Sequence, residues 1–251
     1  MTFHPGKLLG ALLVSVILGG AASAAQNNPD AEARFALGVS HLREGRLDMA
    51  LEEFQKAAKL DPKNPYVMKG LGQAYAAKRR WSDAISAFRK ALELNPYYVD
   101  VRNDLGTVLV LSGDREAGKK EFLAAFGDPT NPTPEISARN LGQAYLEDKN
   151  YPEAINWFRT SLGRNKSYPD AYLGLADGLL ATGRQEEMVT QLEAGAKEAP
   201  GEPSLQLALG QAYFKVGRFT EARARLEEAV KKDPDGAVGR RAASVLKELP
   251  R

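Results

Sequence analysis

Leu71-Gly72-Gln73-Ala74-Tyr75, followed in the chain by Ala84, Phe88, Ala91 and Pro96, is the stretch that decides the fold. Its small and apolar residues recur at the three- and four-residue intervals that place side chains on one face of a helix. Glycine and alanine at these positions let two helices approach closely, and a proline after the last of them ends the second helix. The stretch therefore predicts two packed helices joined by a turn.

The same frame occurs six times, and successive copies begin 34, 34, 36, 34 and 34 residues apart. Such regular spacing is typical of a repeat protein, in which neighbouring units stack because one unit cannot bury its apolar face alone. The predicted repeats are residues 31–64, 65–98, 99–134, 135–168, 169–202 and 203–236. Residues 237–251 are predicted to form one more helix and a tail that cover the open end of the last repeat.

Five of the six copies carry a Leu-Gly pair in the first helix, and the fifth has Leu175-Ala176 instead. Leu-Gly-x-x-Tyr followed by Ala-x-x-x-Phe-x-x-Ala and then Pro resembles the tetratricopeptide repeat (TPR), a helix–turn–helix unit of about 34 residues. The resemblance implies an all-α fold, namely a right-handed TPR superhelix (α-solenoid) of six repeats with a C-terminal capping helix. The motif is specific for the fold and says nothing about a ligand.

The N-terminus has the order of charged, apolar and small residues that is typical of a secretory signal peptide. Lys7 precedes an uncharged run over residues 8–20, and small residues follow. We predict a signal peptide over residues 1–24 that is cleaved after Ala24, and a polar linker over residues 25–30. The alternative is a membrane anchor, but thirteen residues would rise only about 20 Å as a helix, short of a hydrocarbon core of ~30 Å.

Composition limits the chemistry of the chain. The net charge is +2 and no basic run is present, so nucleic acid is not an expected partner. Cysteine is absent, which excludes disulfides and thiolate nucleophiles. His41 occupies the aromatic position of the first repeat and is predicted to be a packing residue. Since no catalytic, phosphate-binding or metal-binding motif is found, we expect no catalytic residue, metal or cofactor, and therefore no enzyme.

The resemblance to TPR proteins also implies where a ligand would bind. In that family the first helices of successive repeats line a concave groove, and set positions of each first helix face it. Amide side chains there would hold the backbone of an extended peptide, and Lys69 and Arg139 would take a carboxylate. The alternative is a solvated groove without a dedicated ligand. Mapped onto this chain, the predicted groove residues are Tyr66, Lys69, Gln73, Asn103, Asp104, Arg139, Asn140, Gln143, Asp177 and Gln211.

Residues 127–134 interrupt the repeat frame. Pro129, Pro132 and Pro134 fall within six residues, which excludes a helix and accounts for the two extra residues between the third and fourth repeats. Two interpretations remain open for this proline-rich segment. It is either a loose connector or a protruding loop that touches a partner.

An export signal, six repeats and a proline-rich break after a helix that ends in Phe126 together resemble the type IV pilus pilotin family. Its members are outer-membrane TPR lipoproteins that help to assemble the secretin pore. The residues that carry this resemblance are 121–129, 134–135 and 138–142. Gly20 stands where the lipidated cysteine of that family would fit. The chain is therefore either soluble in the periplasm or an altered form of a lipoprotein.

This narrower resemblance implies a function. We expect an exported monomer, in the periplasm or at the periplasmic face of the outer membrane of a Gram-negative bacterium. It would bind a protein partner, a secretin, and promote its multimerisation and assembly in the outer membrane. Membrane contact would occur only through that partner or through an N-terminal anchor. The alternatives are an adaptor for another envelope complex, or a regulatory subunit of an envelope peptidase or synthase.

Overall fold

The structure, a computed structural model, describes residues 28–250 of the chain. This part of the protein forms thirteen helices and no strand, so the prediction of an all-α fold is confirmed. In chain order the helices are α1 (Pro29–Arg43), α2 (Leu47–Leu60), α3 (Pro65–Ala77), α4 (Trp81–Leu94), α5 (Val99–Ser112), α6 (Arg115–Gly127), α7 (Pro134–Glu147), α8 (Tyr151–Arg164), α9 (Pro169–Ala181), α10 (Gln185–Glu198), α11 (Pro203–Lys215), α12 (Phe219–Lys232) and α13 (Ala237–Glu248).

The helices form two units, the first ending at Pro132 and the second beginning at Thr133. In the first unit α1 packs on α2, α3 on α4 and α5 on α6, and each second helix also packs on the first helix of the next pair. The second unit is built in the same way from α7 to α12, with α13 packed on α11 and α12. Each unit is therefore a stack of helical hairpins, which is the solenoid arrangement of repeat proteins.

A phenylalanine of the second helix packs directly on a glycine of the first helix in four hairpins. At Gly72, an added Cβ would lie 2.5 Å from Cδ1 of Phe88, whose side chain is fully buried. The ring therefore occupies the space of the missing side chain and sets how closely the two helices approach. The same relation holds for Gly38 with Phe54, Gly106 with Phe122 and Gly142 with Phe158.

The last two repeats fill this space with smaller side chains. Leu192 and Leu226 replace phenylalanine and are almost fully buried. In the sixth repeat Gly210 is kept, and its added Cβ would lie 2.7 Å from Cγ of Leu226. In the fifth repeat Ala176 replaces the glycine. The smaller Leu192 on the second helix therefore accompanies a larger residue, Ala176, on the first helix. Such volume-conserving exchanges are the best-tolerated changes in a packed core.

One residue with a left-handed backbone lies in each turn between paired helices. Left-handed backbone favours glycine, because other side chains crowd the following carbonyl group. In the second and fourth turns, however, the residue is Arg79 or Lys149, with φ angles of 57° and 60°. The glycines in the other four turns are Gly45, Gly113, Gly183 and Gly217.

The first helix begins earlier than predicted. The Asn28 side chain accepts hydrogen bonds from the backbone N–H groups of Asp30 and Ala31 at 3.1 and 3.3 Å, and Pro29 lies in the first turn. An asparagine cap followed by proline favours a helix start, so Pro29 and Asp30 are helical and the predicted linker over residues 25–30 is wrong at that end. The predicted signal peptide, with Gly20 and Ala24, lies outside the described residues.

The C-terminal helix α13 is anchored at both ends. At its start, the Asp233 carboxylate accepts hydrogen bonds from the backbone N–H groups of Val238 and Gly239 at 3.0 and 3.1 Å. Along its length it buries Ala242 and Val245, and Leu249 beyond its end is also buried. No helix within residues 28–250 combines the length and apolarity needed to cross a membrane.

We predict that Gly72→Ala destabilises the protein by about 1–3 kcal/mol, because the new methyl group overlaps the buried Phe88 ring. Gly163→Ala is the matched control, since no atom lies within 4 Å of its added Cβ. The control is expected to be neutral or to stabilise by up to about 1 kcal/mol through helix propensity. Chemical denaturation of both variants measures the difference, and equal stabilities would contradict the packing described above.

A second prediction concerns the turns. Lys149→Gly removes the steric strain of a side chain on left-handed backbone at an exposed position. The substitution should therefore stabilise the protein by about 0.5–1 kcal/mol. The reverse change at an equivalent turn, Gly183→Ala, places a side chain at a φ of 75° and should destabilise by roughly 1–2 kcal/mol. Thermal melting monitored by circular dichroism tests both variants, and a lower melting temperature for Lys149→Gly would argue against backbone strain at this turn.

Candidate functional site

The predicted groove residues lie on first helices of the hairpins in both units. Tyr66, Lys69 and Gln73 lie on α3, and Asn103 and Asp104 lie on α5 of the first unit. Within each unit the first helices of consecutive hairpins contact one another, so these side chains come together across neighbouring repeats. In the second unit the predicted residues are Arg139, Asn140 and Gln143 on α7, Asp177 on α9 and Gln211 on α11.

In the first unit the polar side chains of α3 and α5 form a buried cluster. The Gln73 side-chain amide donates a hydrogen bond of 3.0 Å to the Asp104 carboxyl group. Lys69 Nζ lies 3.6 Å from Oδ2 of Asp100, which is a half-exposed carboxylate one turn before Asp104. Lys69, Gln73, Asn103 and Asp104 are all buried. The cluster therefore joins two repeats, and Asp100 is its most exposed member.

Two tyrosines border this cluster. The rings of Tyr66 and Tyr98 meet edge to face, with centroids 5.4 Å apart, and Lys69 Nζ lies 5.1 Å from the Tyr98 centroid. Burial raises the pKa of Tyr98, and the nearby Tyr66, Asp100 and Asp104 raise it further. Tyr66 was a predicted groove residue and is 40% exposed. Tyr98 was missed because it lies in the turn before α5, outside the first-helix positions that the family resemblance indicates.

Asp104 is the most strongly perturbed carboxyl group of the cluster. Burial raises the pKa of Asp104 to about 7, since the ionised form loses its hydration, and Asp100 adds to the rise. The positive charge of Lys69 and the hydrogen bond from Gln73 oppose it. Near neutral pH the carboxyl group is therefore close to its midpoint between the neutral and the ionised form.

In the second unit Arg139 is already paired. One guanidinium nitrogen lies 2.6 Å from the Asp170 carboxylate of α9, and another donates a hydrogen bond of 3.0 Å to the Asn140 side-chain oxygen. Arg139 and Asn140 are both buried, whereas the Asp170 side chain is 48% exposed. A ligand carboxylate would therefore have to compete with Asp170 for Arg139, which the sequence prediction did not anticipate.

The remaining predicted residues of the second unit are more open. Gln143, Asp177 and Gln211 are each half-buried. The Gln143 amide donates a hydrogen bond of 3.2 Å to Glu147 one turn later on the same helix. These half-buried side chains are more accessible to a partner than Arg139 or Asn140.

A spacing of 31 residues links the polar contacts between repeats. It separates Gln73 from Asp104 and Arg139 from Asp170, and the same spacing separates Lys69 from Asp100. The spacing arises because a residue on one first helix meets a residue one turn earlier in the frame of the next repeat. A search of the sequence for basic or amide residues followed by a carboxylate 31 positions later would have found all three pairs.

The proline-rich segment is a hydrogen-bonded turn rather than a loose chain. The Asp128 carboxylate accepts hydrogen bonds from the backbone N–H and the hydroxyl group of Thr130 at 2.8 and 2.6 Å, and these bonds lower the pKa of Asp128. The Asn131 side chain donates to the backbone oxygen of Ala125 at 2.7 Å. The segment from 128 to 131 is thereby tied to the end of α6, and a role in partner binding stays a prediction.

These features define a helical-repeat protein whose first helices carry polar side chains. The chain belongs to the tetratricopeptide repeat family, whose proteins generally bind protein partners. Family models described as Tetratricopeptide repeat match residues 31–64, residues 189–248, and the overlapping ranges 50–99, 69–132, 103–169 and 139–203.

Similar proteins include type IV pilus factors. The type IV pilus assembly protein PilF of Pseudomonas aeruginosa is 27% identical over 185 residues, which are 74% of this chain and 73% of that protein. The CTR9 homolog of Arabidopsis thaliana is 25% identical over 218 residues, 82% of this chain, but the chain spans only 20% of that protein. The crystal structure of PilW, a type IV pilus biogenesis factor, shares the fold with a TM-score of 0.69 and 21% identity, covering 88% of this chain and all of that one.

We predict that Asp104→Asn removes a pH dependence of stability. Because the pKa of Asp104 is about 7 in the folded protein and near 3.9 in an unfolded chain, the neutral carboxyl group stabilises the fold below pH 4. That contribution falls as the pH rises from about 4 to about 7 and then levels off, with a total of roughly 2–4 kcal/mol. Denaturation of wild-type protein and Asp104→Asn across pH 4–8 gives the difference, and a constant difference would refute the raised pKa.

Proposed function

We propose that this chain is an exported, non-catalytic scaffold that binds the secretin of a type IV pilus machine and promotes its multimerisation at the outer membrane. The observation that carries the proposal is the extent of similarity to PilF. It covers about three quarters of both proteins, whereas the similarity to the CTR9 homolog covers a fifth of that protein. Similarity of this extent favours a shared role over a shared repeat alone.

The proposed mechanism is non-covalent capture of an extended partner segment on the first-helix face, the surface that the first helices of the hairpins form within each unit. Half-buried amides such as Gln143 and Gln211 can donate and accept hydrogen bonds, which an extended backbone requires. Arg139 and Asn140 would act mainly by holding this face in shape, because each already bonds within the protein. Binding would bring secretin subunits together without any chemical step.

The compartment follows from the predicted signal peptide over residues 1–24. Export would place the repeats in the periplasm or at the periplasmic face of the outer membrane. The type IV pilus roles named for PilF and PilW support an envelope setting for this chain as well. A partner that is itself a membrane protein would then be reached from the periplasmic side.

The test is affinity capture from the native host with the full-length, C-terminally tagged chain, followed by mass spectrometry. We expect the secretin to co-purify, and secretin multimers to be lost from membranes of a deletion strain and restored by the full-length gene. Recovery of a different envelope complex, or of an active peptidase or synthase, would identify one of the alternative roles. Normal secretin multimers in the deletion strain would refute the proposal.

For the groove itself, we predict that the double substitution Gln143→Ala and Gln211→Ala weakens partner capture by about tenfold, because two accessible hydrogen-bonding amides are lost. The matched control is Gln191→Ala, which removes a half-buried amide from the second helix α10. Melting temperatures of all variants should stay close to that of the wild type. Unchanged capture by the double variant would move the site to the proline-rich segment or to the second-helix face.

A further inference from the structure

The cluster between α3 and α5 contains more acid than base. Asp100 and Asp104 both act on Lys69, and Lys69 is the positively charged side chain among them. Its Nζ lies 3.6 Å from Asp100, which is longer than a hydrogen bond between charged groups. Two carboxyl groups therefore share one ammonium group, and burial, with a smaller contribution from Asp100, raises the pKa of Asp104 to about 7.

Asn103 provides independent evidence that this cluster lacks a hydrogen-bond donor. The residue is only 8% exposed, and its Oδ1 atom is enclosed without a hydrogen-bond partner. Asp100, Asn103, Asp104 and Thr107 recur at intervals of three and four and so share one face of α5. A buried acceptor without a donor is costly, so this face gains free energy from a ligand that donates hydrogen bonds.

Two tyrosine rings lie beside the cluster at positions where they can stabilise a cation. Lys69 already lies over the Tyr98 ring, and Tyr66 packs edge to face against that ring while staying 40% exposed. A positive group beside a tyrosine face is stabilised by the ring quadrupole. Tyr66 and Asp100 thus border the open side of the cluster with a ring and a carboxylate.

The second unit offers an internal comparison. There Arg139 lies 2.6 Å from Asp170 and also bonds to Asn140, so one base meets one acid. The residue that corresponds to Asp104 in the repeat frame is Gly174, which carries no charge and packs against Phe158. The first unit therefore has one more carboxyl group than basic groups at this contact, and the additional carboxyl group is that of Asp104.

We propose that the face formed by α3 and α5 binds a lysine or arginine side chain from an extended segment of the partner protein. Asp100 makes the direct contact, Tyr66 covers the apolar stem of the incoming side chain, and the Asn103 side chain rotates so that its enclosed oxygen accepts a hydrogen bond. Asp104 lies beneath and acts as a positioning residue that adds negative charge when it ionises. This inference rests on the proposed function, because it states the chemistry of the partner segment that the scaffold captures.

The experiment selects random dodecapeptides on the purified full-length protein and then measures binding of the best peptide by fluorescence anisotropy. We expect a basic residue to be enriched at one fixed position. Replacement of that residue by glutamine should weaken binding to the wild type about tenfold, since a charge-assisted hydrogen bond is lost. The same peptide change should have little effect on Asp100→Asn protein, which couples the two groups directly.

Three protein variants locate the effect. Asp100→Asn and Asp104→Asn should both weaken binding of the basic peptide. The effect of Asp104→Asn should be smaller, because Asp104 acts at a distance. Asp83→Asn, at a half-exposed aspartate on α4 that pairs with Arg80, is the charge-matched control and should leave binding within about twofold. Melting curves establish that each variant is folded, and Asp100→Asn keeps the test valid if the buried Asp104→Asn is unstable.

Selection of acidic or neutral peptides, or of none, overturns the inference. So does a basic peptide whose affinity is the same for wild type and Asp100→Asn. These results do not depend on whether the proposed function is correct, because random peptides report the chemistry of the face whether or not a secretin is captured. Conversely, failure to capture a secretin would leave a basic preference of this face measurable.

Discussion

The contact on which the structure depends is the insertion of a second-helix phenylalanine against a first-helix glycine. The Phe88 ring occupies the space of a Cβ at Gly72, so neither helix can shift or rotate without opening a void or creating a clash. This contact fixes which residues of each first helix point toward the partner helix. The remaining positions, including Lys69 and Gln73, are thereby directed to the layer in which consecutive first helices meet.

That layer explains why the predicted groove residues also hold neighbouring repeats together. Gln73 bonds to Asp104 and Arg139 bonds to Asp170, so side chains that resemble ligand-binding groups also join one repeat to the next. Where the charges balance, as at Arg139, the contact is complete and a ligand must compete for it. Where they do not balance, as beside Asp104, two carboxyl groups lie around one ammonium group, and the proposed basic ligand would offset the excess of acid.

The fold was predictable because its cause repeats in the sequence. Leu71-Gly72 and Phe88 recur in phase, and the same glycine–phenylalanine packing acts in four of the six copies. The start of the first helix was misplaced because a local cap by Asn28, outside the repeat frame, decides it. The residue types on the first-helix face followed from the frame, but their partners did not, because the 31-residue spacing of each pair is about one helical turn shorter than the repeat itself. Tyr98 escaped prediction since it lies in a turn.

One backbone position shows how the charge of the first-helix face varies between repeats. In the second and fifth repeats it is Gly70 or Gly174, whose added Cβ would lie 2.6 or 2.3 Å from a buried phenylalanine ring. In the third repeat the position is Asp104, which bonds to Gln73 of the preceding repeat. Aspartate in place of glycine at this position therefore alters the charge of the first-helix face, while the third hairpin keeps its own contact between Gly106 and Phe122.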